Sequence, residues 1–373
     1  MQATKQLIPL FYDKEKLIKT PQILYRTNVG DKRYYYTIKE TGEVVKFASV
    51  TTVLDSTMPT SEYLIKWIAE YGIKRAEDIK NQKAEYGNLL HICFSQFMIK
   101  GTFDLASIPS RIETYRLANN IDFNTDHWEW ELEKDLRAWE VFCAVHDVKP
   151  IAISLMLSSE KLGIAGELDI VLEMRVGTGV NGGILKNDIV VDKNGEIKKD
   201  LTRRIIVILD WKSGRHGFYL IHEAQLHLYK LLWNETFPHL QIDGLYNWSP
   251  KNWETEPAYN LKEQSESREG AKVKHYIDLF RLSGFNEQAI YYPKKEGRLQ
   301  LGKRNGNFRL ETFEETILRL HKVQPASEES NEADNFIAKT VSDAETMFPE
   351  KAVIEETTEL INSINTLLQP TQG

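Results

Sequence analysis

Apolar positions along this chain follow two different periods. Between residues 150 and 250 they fall into short, nearly continuous runs at 151–157, 165–173, 205–210 and 244–248, each bounded by glycine, serine or charged residues. Runs of that length, rich in Ile, Val and Leu, predict strands buried on both faces. Between the last two runs, residues 221–233 place Ala224, Leu228 and Leu231 on one face at helical spacing. Earlier in the chain, residues 60–100 read as a helix that starts at Pro59-Thr60 and stops at Gly101. Residues 127–147 carry Trp128, Trp130, Leu132, Leu136, Trp139 and Phe142 at helical spacing. Such an aromatic stripe predicts a core-facing helix, not a surface for stacking bases.

The N-terminal part differs in period. Within residues 22–54, the stretches 33–38 and 44–47 flank Glu40-Thr-Gly-Glu43, a hairpin signal. The elements add up to an α/β fold in which helices flank a mixed central sheet, preceded by a β-hairpin and a helical lobe. The expected organisation is a β region over 1–57, a helical lobe over 58–149, a core over 150–325 and an acidic appendage over 326–373. An insertion over 174–203 interrupts the core. Its Asn194-Gly195, between 189–191 and Ile197, predicts a hairpin with a type I′ turn. The insertion could serve as a DNA-facing flap but reads first as a surface elaboration.

Charge changes the picture only once it is located. The chain carries a net −7. From Ala326 onward, ten acids stand against Lys339 and Lys351, a net −8, which leaves residues 1–325 at about +1. The global value therefore does not exclude nucleic acid. Over 251–310, cations such as Lys251, Lys262, Lys272, Lys274 and Arg281 interleave with Trp253, Tyr259 and Tyr291-Tyr292. That mixture suits a phosphate backbone with stacked bases, and equally a salt-bridged face diluted by Glu263, Glu266 and Glu269. The tail reads as a linker followed by a short acidic helix over 350–368, suited either to shielding the basic surface as a DNA mimic or to docking a partner protein. The first residues lead into no apolar signal core and no run approaches membrane-spanning length, so the expectation is a cytoplasmic protein without membrane contact. Cys93 and Cys143, the only cysteines, imply no disulfide framework.

Chemistry enters at the strand ends. Asp169 lies in the second apolar run, and Asp210-Trp-Lys212 closes the third. Residues i and i+2 of a strand share a face, so Asp210 and Lys212 project together and Trp211 turns away. A carboxylate at the end of an apolar strand is costly unless a cation compensates it. Asp169 and Asp210 offer hard oxygen to Mg²⁺ or Mn²⁺, and Lys212 can offset charge on a phosphate or orient water. Alone, Asp-x-Lys is common and reads as an ion pair in a polar turn. Here Gln225 and Tyr229, four apart, share a second face of the following helix. Upstream, His91 lies at the edge of the apolar stripe of Leu90, Cys93, Phe94 and Phe97, one turn after Gly87, whose missing side chain leaves room beside the imidazole. Glu160 and Glu167 are minor candidates for further acids.

The ordered set of His91, Gly166-x-x-Asp169, Asp210-x-Lys212 and Gln225-x-x-x-Tyr229 resembles the RecB-like branch of the PD-(D/E)xK nuclease superfamily. Ser49-Val-Thr-Thr-Val-Leu54, Leu64-Ile-Lys-Trp67 and the Gly72–Gly87 stretch look like the N-terminal helical portion of phage-type exonucleases in that branch. The likeness covers roughly residues 45–250. It implies a restriction-endonuclease-like core and a DNA nuclease that processes ends in phage recombination or replication, in the host cytoplasm if phage-encoded. It also implies that His91, Asp169, Asp210 and the Trp211 carbonyl hold the metal, and that Gln225 and Tyr229 position phosphate or water. Some members carry a four-cysteine iron–sulfur cluster; two thiols cannot ligate one. The rival readings are a structure-specific endonuclease of the same fold and a catalytically idle DNA-binding or assembly module.

Overall fold

A computed structural model describes residues 6–29, 32–177, 184–186, 189–198, 202–215, 217–283, 301–304 and 307–310. The elements in chain order are β1 (Tyr25–Val29), β2 (Lys32–Ile38), β3 (Val44–Ser49), α1 (Val50–Thr57), α2 (Glu62–Tyr71), α3 (Ile73–Lys100), α4 (Ile108–Ala118), α5 (Trp128–His146), β4 (Lys149–Ser159) and β5 (Ile164–Gly177). Then come β6 (Ile184–Lys186), β7 (Ile189–Val191), β8 (Thr202–Trp211), α6 (Leu220–Thr236), β9 (Gly244–Pro250), β10 (Tyr259–Glu263), α7 (Val273–Leu282), β11 (Leu301–Arg304) and β12 (Asn307–Leu310). Among the described residues the chain forms two compact units, one of residues 6–7 and 104–133, the other of residues 8–103 and 134–310. No helix among them is long and apolar enough to cross a membrane.

The second unit is built on one eight-stranded sheet, ordered β1-β2-β3-β5-β8-β9-β10, with β4 on the other edge of β5. The sheet is mixed: β3/β5 and β8/β9 run parallel, the remaining pairs antiparallel. Helices flank it as the hydrophobic pattern requires. On one face α1, α6 and α7 bury Val53, Leu54, Ala224, Leu228, Ile277 and Phe280 with Leu157, Leu168, Ile208 and Leu245 of the strands. Strand alternation turns Trp211 and Trp248 to the opposite face. There Phe94 of α3 and Trp139 of α5 meet both of them, with ring centroids 5.1–5.4 Å apart. The edge-to-face geometry of these rings adds about 0.5–1.5 kcal/mol per pair beyond area burial. The aromatic stripe of α5 is therefore core, except Trp130, which is exposed.

Five local expectations are revised. Residues 50–57 lie within the expected β region of 1–57 but form α1, as the likeness of Ser49–Leu54 to a helical portion implies. Ser49 ends β3 and caps the helix, its Oγ accepting the Thr52 N–H at 2.9 Å, and Val50, Val53 and Leu54 bury at helical spacing. The strands of the 1–57 region join the central sheet, β3 pairing with β5 at Ala48↔Ile164 and Ser49↔Ala165. The helix expected over 60–100 is two helices, broken at Gly72, whose φ of 78° interrupts the helical path; Gly101 ends α3 in the left-handed region as expected. Strands β5 and β8 stay paired out to Gly177↔Thr202, further into the insertion than the sequence suggested. Inside it, Val191 bridges Ile197, but the turn is not type I′. Asp192 accepts the Gly195 N–H, and only Gly195 has positive φ, so this is a type I turn closed by a glycine. The Asp192 carboxylate, accepting from the Asn194 and Glu196 N–H groups, favours that form. The appendage over 326–373 and the 350–368 helix lie outside the described residues.

His146, fully buried at the end of α5, lies between the Arg175 carbonyl (3.0 Å from Nδ1) and the Tyr259 hydroxyl (3.1 Å from Nε2). A neutral ring satisfies both, donating from Nδ1 and accepting at Nε2. Burial pushes its pKa down to about 4, against the Arg175 hydrogen bond, which works upward. The unfolded chain binds this proton near pH 6.5 and the folded one only near 4, so stability contributed by the neutral ring is complete above 6.5 and lost as pH falls through that window. The loss amounts to about 3 kcal/mol. In urea unfolding between pH 7 and 4, the stability advantage of wild type over His146→Phe should shrink as pH falls; an unchanged gap would refute the assignment.

Candidate active site

The site forms where the sheet forks. Strands β5 and β8 pair antiparallel up to the rung Ile170↔Leu209 and no further. Beyond it β8 continues with β9 alone, through Asp210↔Asn247 and Trp211↔Trp248. On the same edge of β5, β3 pairs only at Ile164 and Ala165. Residues 166–168 therefore have strand pairing only toward β4, and Asp169 and Asp210 flank the mouth of the fork, one residue past the last shared rung. Opposite Asp169, Ser154 of β4 has a φ of 48°, a conformation that costs an L-residue about 1–2 kcal/mol.

Seven residues singled out in the sequence meet here. The Trp211 N–H donates to Asp169 Oδ2 at 2.7 Å, tying the diverging strand to the carboxylate. His91, carried by α3, stands with Nδ1 3.3 Å from Asp169 Oδ1 and Nε2 3.1 Å from the Trp211 carbonyl. Lys212 places Nζ 2.7 Å from Asp210 Oδ2, 3.0 Å from Oδ1 and 3.2 Å from Gln225 Oε1. The Gln225 amide then donates to the Tyr229 hydroxyl at 2.9 Å. The i, i+4 spacing on α6 is what turns Gln225 and Tyr229 to one side. Gly166 is needed for that approach: a Cβ there would lie 2.6 Å from Tyr229 Cε1 and 3.1 Å from Val50 Cγ2. Gly87 has a different role from the one expected. The room it leaves is taken by Ser213, whose Oγ would be 3.1 Å from a Cβ at that position.

Two acids this deeply placed must be compensated. Asp210 is 1% exposed. Burial pushes its carboxyl up to about 6; Lys212 works against the rise and the charge of Asp169 adds to it. Burial acts on Asp169 in the same direction, but the charge and hydrogen bond of His91, together with Lys212 and the Trp211 N–H, hold it below the usual carboxylate range. For His91, burial opposes the charged form, and the charge and hydrogen bond of Asp169 outweigh it, so its pKa is raised. Both ring nitrogens face acceptors, which only an imidazolium satisfies. The cluster is thus two carboxylates balanced by an imidazolium and an ammonium. Burial holds the Tyr229 hydroxyl well above its usual pKa, with both carboxylates adding, so it remains a neutral phenol.

By donor chemistry, Asp169, Asp210, the Trp211 carbonyl and an imidazole suit a hard divalent cation such as Mg²⁺ or Mn²⁺. As they stand these groups are engaged with one another and with Lys212, and no three His, Cys, Asp or Glu side chains among the described residues are spaced to hold a metal ion. Of the minor acids, Glu160 is 3.6 Å from Lys39; Glu167 is 3.3 Å from Arg26, and burial raises its pKa, with the charge of Asp169 adding and that of His91 opposing. Cys93 and Cys143 are buried and unbridged.

The basic stretch after β9 is in large part a salt-bridged face. Lys262 pairs with Glu223 (3.0 Å), Lys272 with Glu269 (2.7 Å) and Arg281 with Asp278 (3.8 Å). Tyr259 is core, and Tyr291 to Arg298 lie outside the described residues. Sequence reading missed two supports of the site. Asn247 of β9 donates to Asp210 Oδ2 at 2.9 Å; its signal was a polar residue inside an otherwise apolar central strand. Arg215, just past Lys212, places Nη1 2.6 Å from the fully buried Asp135, to which the Tyr86 hydroxyl also donates at 2.7 Å. Nothing in the sequence pairs residues 80 apart.

The contact between Gly166 and Tyr229 can be tested directly. Gly166→Ala should cost about 1–3 kcal/mol, because the ring cannot yield without leaving Gln225. In a double-mutant cycle with Tyr229→Leu, urea unfolding should show most of that cost removed. Additive losses would place the strain elsewhere.

No known protein-family profile and no curated protein sequence matches this chain.

Proposed function

We propose that this protein is a metal-dependent nuclease that hydrolyses DNA phosphodiester bonds, acting on DNA ends in recombination or replication. The reading is carried by one observation: a fully buried and a largely buried carboxylate flank the fork between β5 and β8, with an ammonium 2.7 Å from the first and a histidine ring 3.3 Å from the second. Buried charges of both signs are expensive to assemble and are weak contributors to stability, so their convergence calls for a chemical reason. The set matches the motif residues of the RecB-like PD-(D/E)xK branch, with His91, Asp169, Asp210 and the Trp211 carbonyl as metal ligands. When bound, Mg²⁺ or Mn²⁺ would supply Lewis-acid polarisation of the phosphate and ease ionisation of an attacking water.

The chain's own groups have separable tasks. Lys212 offsets negative charge building on the phosphate. Gln225 holds that ammonium through Oε1 and is itself held against the Tyr229 hydroxyl, so α6 sets where Lys212 points. The neutral Tyr229 offers its hydroxyl without adding charge. A structure-specific endonuclease would use the same residues, and the choice between the two rests on substrate. An idle binding module has no use for this charge set, and the cost of retaining it disfavours that alternative.

The test is digestion of end-labelled linear DNA beside closed circular DNA with Mg²⁺ or Mn²⁺. Linear DNA should be degraded, the circle spared, and activity lost with a chelator. Asp210→Ala and Lys212→Ala should each lower cleavage more than about 100-fold with the fold retained. His91→Ala should be partly rescued by added Mn²⁺. Full activity in chelator, or normal cleavage by the Asp210 and Lys212 variants, would refute the assignment; cleavage of the circle would favour the endonuclease.

A further inference from the structure

We propose that Asn247 and Gln264 are positioning residues that fix the orientation of the Asp210 carboxylate; the inference rests on the metal-dependent reading above and assigns two residues to it. Asp210 and Asn247 are direct partners across the parallel pair β8/β9, so their side chains leave the sheet on the same face. Asn247 Nδ2 donates to Asp210 Oδ2 at 2.9 Å, and Asn247 Oδ1 accepts from Gln264 Nε2 at 3.2 Å. Asn247 is 0% and Gln264 3% exposed. Gln264 is itself anchored on both sides of its backbone. Its N–H donates to the Leu245 carbonyl at 2.8 Å, and its carbonyl accepts from His227 Nε2 at 2.9 Å.

The order of these bonds is directional. A primary amide has one donor end and one acceptor end. With the Gln264 NH₂ pointed at Asn247 Oδ1, the Asn247 NH₂ can point only at Asp210. Turning Asn247 over would set acceptor against acceptor at the carboxylate and donor against donor at Gln264, and turning Gln264 over would set acceptor against acceptor between the amides. Since neither side chain reaches water, such a mismatch has no solvent to relieve it. Oδ2 of Asp210 is thereby held by Asn247 and Lys212, while Oδ1 is engaged only by Lys212 among the described residues. The carboxylate cannot rotate freely: Lys212 bridges both oxygens, and Asn247 fixes which of them is Oδ2, leaving Oδ1 as the oxygen without an amide partner. Partners that orient a metal-binding carboxylate typically affect metal affinity or activity 10- to 100-fold.

The experiment measures Mn²⁺ binding by electron paramagnetic resonance on the full chain, alongside kcat and KM for linear DNA. It compares wild type with Asn247→Leu, which removes the donor, and Gln264→Met, which frees the Asn247 amide without touching Asp210. Asn247→Leu should weaken Mn²⁺ binding about 10- to 100-fold and lower kcat with little change in KM. Gln264→Met should show a smaller loss in the same direction, which a packing role for Asn247 would not produce. Folded variants that bind Mn²⁺ within about twofold of wild type would overturn the inference while leaving the metal reading intact. Wild type that binds no Mn²⁺ would overturn the metal reading and the inference with it. Should Asn247→Leu fail to fold, Gln264→Met and Asn247→Ser decide by the same two outcomes.

Discussion

Two carboxylates of like charge are held together inside the protein because β5 and β8 part company after the Ile170–Leu209 rung. Asp210 is shut off from water and Asp169 largely so, and each raises the cost of ionising the other. Almost every other feature around the fork answers that constraint. Trp211 turns its N–H onto Asp169, His91 reaches across from α3, Lys212 folds back onto Asp210, and Asn247 donates from the next strand. The compensation comes from α3, from β8 and the residue that follows it, and from β9, so the site exists only when the sheet and the α3 layer have assembled.

Packing explains how those elements come so close. On the α6 side, the missing Cβ of Gly166 lets the Tyr229 ring lie on β5 and brings Gln225 within reach of Lys212. On the α3 side, Trp211 sits among Phe94 and Trp139 and is 1% exposed, which fixes the backbone on which Asp210 and Lys212 ride. The Arg215–Asp135 pair then anchors the chain just beyond Lys212 to α5. Rigidity at the fork is thus a property of the aromatic core beneath it.

Much of this was legible in the sequence because strands and helices leave periodic traces. The four apolar runs that became β4, β5, β8 and β9 announced themselves by length and composition, and Gln225 and Tyr229 by their spacing on α6. The misreadings have local physical causes. The β region expected over 1–57 runs too far, because the Ser49 cap and burial at helical spacing make residues 50–57 the helix α1. Gly72 looked tolerable inside a helix until its positive φ broke it. What periodicity does not carry is pairing at long range: that β3 joins β5, that Asn247 lies beside Asp210, or that Ser213, not the imidazole, takes the space at Gly87.

The central claim is that the fork holds paired carboxylates whose charge a divalent cation relieves. Thermal unfolding across a Mg²⁺ and Mn²⁺ titration, comparing wild type with an Asp169→Asn/Asp210→Asn double variant, tests it most directly, since a ligand that binds only the folded state raises Tm with its concentration. The account predicts that Tm of wild type climbs with either ion and that of the double variant does not respond. A wild-type Tm indifferent to both ions, or an equal rise in the double variant, would contradict it.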